Sequence, residues 1–101
     1  MVNVLFVCLG NICRSPLAEG IFRDMVSKEG LEGEIMIDSA GTSDWHINEP
    51  PDPRTIEVAE KNGIRIDHLG RQVQAPDLST YDYILAMDRD NYTQLHRLLD
   101  N

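Results

Sequence analysis

Cys8 and Arg14 stand six positions apart within the run Cys8-Leu9-Gly10-Asn11-Ile12-Cys13-Arg14-Ser15. A thiol is a strong nucleophile only as the thiolate, and a planar guanidinium can meet two oxygens of a tetrahedral anion at once. The five residues between them suffice for a loop whose backbone N–H groups turn inward. At the start of a helix such a loop is an oxyanion seat, because unpaired amides and the positive end of the helix dipole favour negative charge. The same field favours the thiolate at Cys8. Sulfur attack on phosphorus, through a phosphocysteine, is the chemistry this pairing suggests. Blander readings stand beside it: an inert buried cysteine at a strand end, a surface salt bridge at Arg14, and a plain helix N-cap at Ser15.

The flanking elements must position that loop. Val2 to Val7 is a short continuous apolar run, as a central parallel strand requires. Gly10 and Asn11 tolerate the left-handed backbone of a tight cradle. Ser15-Pro16 reads as N-cap and first-turn proline of a helix to residue 28, with Leu17, Ala18, Ile21, Phe22, Met25 and Val26 on its inner face. Gly30 and Gly33 break it before a short strand over 34–38. A polar loop over 39–52 precedes a helix capped by Asp52-Pro53 and stopped by Gly63. Residues 64–66 read as extended, Pro76-Asp77 as one helical turn, 83–87 as a third strand, and 90–99 as a helix facing inward through Leu95, Leu98 and Leu99. The pattern predicts an α/β fold with an open, parallel three-stranded sheet flanked by helices, and a reactive loop at the carboxyl end of a central strand.

Composition narrows the class. The 101 residues fit one small domain, with 42% hydrophobic residues and net charge −8. An acidic chain without a basic run argues against nucleic acid as partner. No apolar run matches a membrane span or a signal core, so the expected location is cytoplasmic, with no membrane partner. Two cysteines five apart do not form an extracellular disulfide framework. His46, His68 and His96 show no metal-ligand spacing, so neither a metal nor another cofactor is expected.

The stretches VLFVCLGNICRSPLAEGIF (4–22), DSAGTSDWHINEPPDPR (38–54), GIRIDHLGRQ (63–72) and YDYILAMDRDN (81–91) resemble the low-molecular-weight protein-tyrosine phosphatases, in family order. Trp45-His46 and the Glu-Pro-Pro-Asp-Pro-Arg run give the likeness a bacterial cast. The resemblance implies the corresponding phosphotyrosine phosphatase fold and hydrolysis of protein phosphotyrosine or an aryl phosphate, with inorganic phosphate released. It implies Cys8 as nucleophile, Arg14 as transition-state clamp and Ser15 as donor to the sulfur. It places Leu9, Gly10, Asn11, Ile12 and Cys13 around the phosphate and Trp45 as an aromatic wall. Asn11, Ser15, Ser39 and His68 would form a supporting network; from the sequence alone His68 reads as a surface histidine. Cys13 would form a reversible disulfide with Cys8, or serve as a small core residue. Asp88 is expected as a helix cap or a support, not as the catalytic acid.

The family continues into a stretch with an Asp-Pro-Tyr loop carrying the general acid, a fourth strand and a closing helix. Residues 1–101 are therefore expected to be a single, C-terminally incomplete domain that lacks them. Asp52-Pro53 is not that acid, since a helix start explains it fully. Retained oxyanion binding with slowed turnover follows, as does self-association or strand exchange at an unpaired sheet edge. Two alternatives remain: a non-catalytic phosphate-binding or interaction fragment, and an arsenate reductase, which would need further cysteines after Cys13.

Overall fold

Val4, Leu5, Val7 and Cys8 are buried because β1 (Val2–Cys8) is the middle strand of its sheet. The computed structural model describes residues 1–99, the side chain of Leu99 excepted, so the expected inward placement of Leu99 lies outside the described residues. β1 pairs in parallel with β2 (Ile35–Gly41), from Val2 opposite Ile35 to Cys8 opposite Gly41. On its other side it pairs in parallel with β3 (Tyr83–Ala86), from Val4 opposite Tyr83 to Val7 opposite Ala86. The order is β2-β1-β3. Parallel neighbours require crossovers, supplied by α1 (Arg14–Lys28), α2 (Pro53–Lys61) and the single turn α3 (Asp77–Thr80), with α4 (Arg89–Leu99) following β3.

Strand alternation divides the core. Leu5 and Val7 join Ala40, Val73 and Leu95 on one face, with Tyr81 and Ile84 packed against them. Phe6 points to the other face and meets Phe22 of α1 edge-on, ring centroids 5.8 Å apart. Cys8 shares the parity of Phe6 and so emerges on the face of α1, beside that helix's first turn.

Several expected boundaries shift for physical reasons. α1 begins at Arg14, with Cys13 as the cap residue and no side-chain capping bond, so Ser15 is not the N-cap. Its buried side holds Ser15, Pro16, Glu19, Gly20 and Val26, while Ile21 and Met25 are exposed. Polar partners beneath the helix, not apolar spacing, decide which side is inward. β2 runs on to Gly41, so Ser39 is a buried strand residue opposite Phe6, not part of a loop. Residues 64–66 join no ladder; Ile64 and Ile66 instead lie over Gly20 of α1. β3 stops at Ala86, and Leu98 is exposed where Leu95 is buried.

Asp52 caps α2 as expected, accepting from Arg54 N at 2.8 Å with Pro53 in the first turn. Asp52→Ala is expected to lower the melting midpoint by roughly 4–8 °C, the shift that accompanies loss of a typical cap in a domain this small. Scanning calorimetry reads it directly.

Candidate active site

The loop between β1 and α1 is shaped by where its carbonyls go. Cys8 O accepts from Thr42 N at 2.9 Å, Leu9 O from Ser43 N at 3.0 Å, Ile12 O from Asp52 N at 2.7 Å and Cys13 O from Leu17 N at 3.2 Å. A trans peptide sets each carbonyl opposite the N–H of the next residue. Outward carbonyls therefore turn the amides of Leu9, Gly10, Cys13 and Arg14 toward the enclosed side. Asn11 adopts φ 57°, the left-handed region, whereas Gly10 keeps a negative φ. That single inversion brings Asn11 N to 3.2 Å from Cys8 Sγ.

Cys8 is 3% exposed and its sulfur lies 2.9 Å from Ser15 Oγ. Ser15 Oγ also accepts from Asn11 Nδ2 at 2.8 Å, and its own hydrogen is available to a sulfur that has lost its proton. Asn11 Nδ2 also donates to Ser39 Oγ at 3.0 Å, and Ser39 Oγ donates to Glu19 Oε1 at 2.6 Å. Asn11 Oδ1 can only accept. It therefore takes the Nε2–H of His68 at 2.7 Å and Arg71 N at 3.0 Å. Asn11, Ser15, Ser39 and His68 form one buried network, and His68 is an interior residue, not a surface one.

Glu19 is the site residue that the sequence reading misses. It is buried, paired with Arg23 Nη1 at 2.8 Å and 3.3 Å from His68 Nδ1. Its signal was the polar i, i+4 series Ser15, Glu19, Arg23 along one helix face. Glu19, Asp38 and His68 offer ligand atoms within 4.8 Å of one another, a grouping that histidine spacing alone could not reveal. Arg23 on Glu19 and Arg71 on Asp38 set positive charge there already, which disfavours a metal ion.

Arg14 makes the ion pair that its blander reading expected. Its Nη1 donates to Asp88 Oδ2 at 2.6 Å with both side chains about half exposed, a surface ion pair. Nε and Nη2 take no other partner among the described residues, so the fork still has donors at the loop. Asp88 also accepts from Asn91 N at 2.8 Å at the start of α4. The side-chain bond to Arg14 and then the Asn91 amide hold the Asp88 carboxyl below its usual range, and Asp88 raises Arg14 in return. Asp88 thus accepts from an amide in the first turn of α4, and it also pairs with Arg14, a contact the sequence reading did not anticipate.

Leu9, Arg14, Thr42, Ser43, Trp45 and Asp88 line a groove of about 580 Å³ along the loop's open side, closed by residues at the start of α4. Trp45 is 64% exposed, an aromatic plate at the rim. Ile12, half-buried, does not line that groove. Cys8 and Cys13 are both free thiols in this structure, and Cys13 is exposed, so it is not a core residue.

Comparison with known proteins fits this geometry. The family described as low molecular weight phosphotyrosine protein phosphatase matches residues 3–101. The chain belongs to this family. The phosphatase of that name from Schizosaccharomyces pombe is 53% identical over 98 residues, covering 96% of this chain and 63% of that protein. The crystal structure of YfkJ from Bacillus subtilis superposes with a TM-score of 0.95 at 55% identity, covering 97% of this chain and 62% of YfkJ. A structure of a Drosophila arginine phosphatase gives a TM-score of 0.89 at 40% identity, covering 93% and 59%. The chain therefore spans about three fifths of the length of these relatives. The three-stranded parallel sheet with its flanking helices is the part of this phosphatase family's fold that the chain matches.

Proposed function

We propose that the chain hydrolyses phosphomonoesters of protein tyrosine or of simple phenols through a phosphocysteine at Cys8. The observation that carries the reading is the sulfur held between Asn11 N and Ser15 Oγ beneath a ring of inward amides. In the first step the thiolate forms the S–P bond as the P–O bond to the phenol breaks. In the second, water attacks phosphorus, the S–P bond breaks, and inorganic phosphate leaves with Cys8 restored as thiolate. Arg14 supplies forked donors to the equatorial oxygens, and the groove rim at Trp45 suits an aromatic leaving group. The relatives named for phosphotyrosine favour that ester over phosphoarginine, the substrate class in the name of the Drosophila protein.

Asp88 is a poor proton donor for the leaving group, since Arg14 and the Asn91 amide hold its carboxyl ionised at neutral pH. An acidic phenol needs no such help. Stopped-flow mixing with p-nitrophenyl phosphate is expected to give a burst of p-nitrophenol followed by slower steady release. Phosphotyrosine peptide is expected to turn over more slowly still. No burst, with no competition by inorganic phosphate, would sink the reading; competition without any burst would leave a phosphate-binding module. We also infer a cytoplasmic address, since two cysteines five apart do not make an extracellular disulfide framework; among the described residues no helix is long and apolar enough to cross a membrane.

We also infer self-association through β3, which among the described residues has a sheet partner on its β1 side only. Val2, Val4, Phe6, Phe22, Ile35, Tyr83 and Leu85 line an entirely apolar hollow next to that edge. Unpaired edges and apolar faces recruit a second chain, while a net charge of −8 opposes it. Sedimentation equilibrium is expected to show dimers that strengthen with salt. A monomer at tens of micromolar in high salt would count against this.

A further inference from the structure

Residue 71 joins the loop to three other parts of the fold. Its N–H donates to Asn11 Oδ1 at 3.0 Å, and its carbonyl accepts from Gly41 N at 2.7 Å at the end of β2. Its Nε donates to Asp38 Oδ2 at 3.0 Å, and Nη1 and Nη2 reach Asp77 Oδ2 and Oδ1, each at 3.2 Å. Asp77 Oδ2 also accepts from Gln74 N at 2.7 Å, closing the segment back on itself. Backbone bonds hold its ends: Asn48 N to Gly70 O and Gly70 N to Glu49 O, each at 2.8 Å, and Val73 N to Gly41 O at 2.8 Å beside the isolated bridge of Gly41 to Gln72. Between them the Arg71 guanidinium adds the side-chain anchor to Asp38 and Asp77.

Asn11 needs that fixing. A non-glycine residue at φ 57° is strained and persists only where its surroundings over-determine it. Its amide uses its full capacity: two hydrogens to Ser15 and Ser39, two lone pairs to His68 and Arg71. Both lone-pair partners come from residues 68–71. We propose that Arg71 is a positioning residue for the thiolate cradle, its guanidinium pinning the segment whose amide holds Asn11 in the conformation that aims at Cys8. Nε, Nη1 and Nη2 of Arg71 are all engaged by Asp38 and Asp77, so it acts through Asn11 and not on the phosphate. Burial weighs against its charged form, but Asp77 and Asp38 outweigh that and leave its pKa raised. The cation is permanent, and a neutral residue would leave Asp38 with Tyr81 Oη and His68 Nδ1 and Asp77 with the Gln74 amide, without the guanidinium that joins them.

This role rests on Cys8 and its loop being the reactive site, and the test separates the two. Carboxymethylation of Cys8 by iodoacetate, an anion, is compared with carbamidomethylation by neutral iodoacetamide, with and without inorganic phosphate. Fragment-ion mass spectrometry distinguishes Cys8 from Cys13. The wild-type protein is expected to favour iodoacetate and to be protected by phosphate; absence of both would overturn the reactive-site reading itself. With those two present, Arg71→Met is expected to lower the iodoacetate preference and kcat for p-nitrophenyl phosphate by about 10- to 100-fold, the cost of a small misplacement of reacting groups. Arg71→Lys should recover part of it. General loosening of the fold would change both reagents alike, so an unchanged ratio in a folded Arg71→Met protein overturns the proposal. Should Arg71→Met fail to fold, Asp77→Asn keeps the Gln74 bond and removes one anchor charge. It is expected to shift the ratio the same way by a few-fold, and no shift would again overturn the proposal.

Discussion

Cys8→Ser is expected to reduce turnover of p-nitrophenyl phosphate by at least about 10⁴-fold while binding inorganic phosphate no more weakly than the wild type. The first half follows from chemistry. Loss of an enzyme's nucleophile removes the covalent route, and what remains is binding and electrostatic stabilisation. A serine hydroxyl at this position has Asn11 N and Ser15 Oγ as its neighbours, both placed to stabilise an anion. Among the residues bonded to that sulfur there is no base to take a proton, so the hydroxyl would stay protonated and inert. The second half follows from the backbone. The inward amides are set by carbonyl bonds from Cys8, Leu9, Ile12 and Cys13 to Thr42, Ser43, Asp52 and Leu17, none of which uses the thiol. The variant also lacks the thiolate charge that repels a phosphate dianion. Steady-state assays read the first half and isothermal calorimetry with phosphate the second. Loss of phosphate binding in a folded variant would show that the sulfur shapes the cradle itself.

The part of the site that lies close in sequence was legible, and the part assembled over distance was not. Cys8 to Ser15 was legible from its residue types between a strand end and a helix start, although the bonds that shape the loop come from Thr42, Ser43 and Asp52. Asp52 capping α2 and the turn at Asp77 were readable for the same reason. Ser39 read as a loop residue because its partner Asn11 is 28 positions away, and burial of a serine in a strand has no local signature. His68 read as a surface residue for the same cause: its bond to Asn11 spans 57 positions. The apolar periodicity of α1 was misleading. Ile21 and Met25 fit the stripe but lie exposed, while Glu19 is buried against Ser39, Arg23 and His68. A helix that closes over a polar network buries what the network needs, and hydrophobic spacing does not report it. Resemblance to a family supplied Ser39 and His68, which residue types alone did not.

Arg14 sets the second large effect. Arg14→Lys is expected to lower kcat/KM for p-nitrophenyl phosphate by about 10²–10³-fold, the range for losing one preorganised donor at a developing charge. Lysine keeps the charge but is a point donor, so it cannot bridge two equatorial oxygens while also holding Asp88. The structure gives that competition a concrete form, with Nη1 already committed to Asp88 Oδ2 at 2.6 Å. Arginine can serve both because Nε and Nη2 remain; an ammonium has to choose. Arg14→Ala adds a pH signature. The Asp88 carboxyl is held below its ordinary value mainly by Arg14, so its stabilising contribution is present above that ordinary value and is lost as pH falls through the lowered one. Without Arg14 the backbone amides of Asn91 and Asp90 remain to lower it, so the loss on acidification begins from a smaller gain. Acid unfolding followed by Trp45 fluorescence is therefore expected to be less sensitive to Asp88→Asn in the Arg14→Ala background than in the wild type. Equal sensitivity in both would mean that Arg14 and Asp88 do not act as a pair in solution, and that the guanidinium is free to turn fully over the cradle.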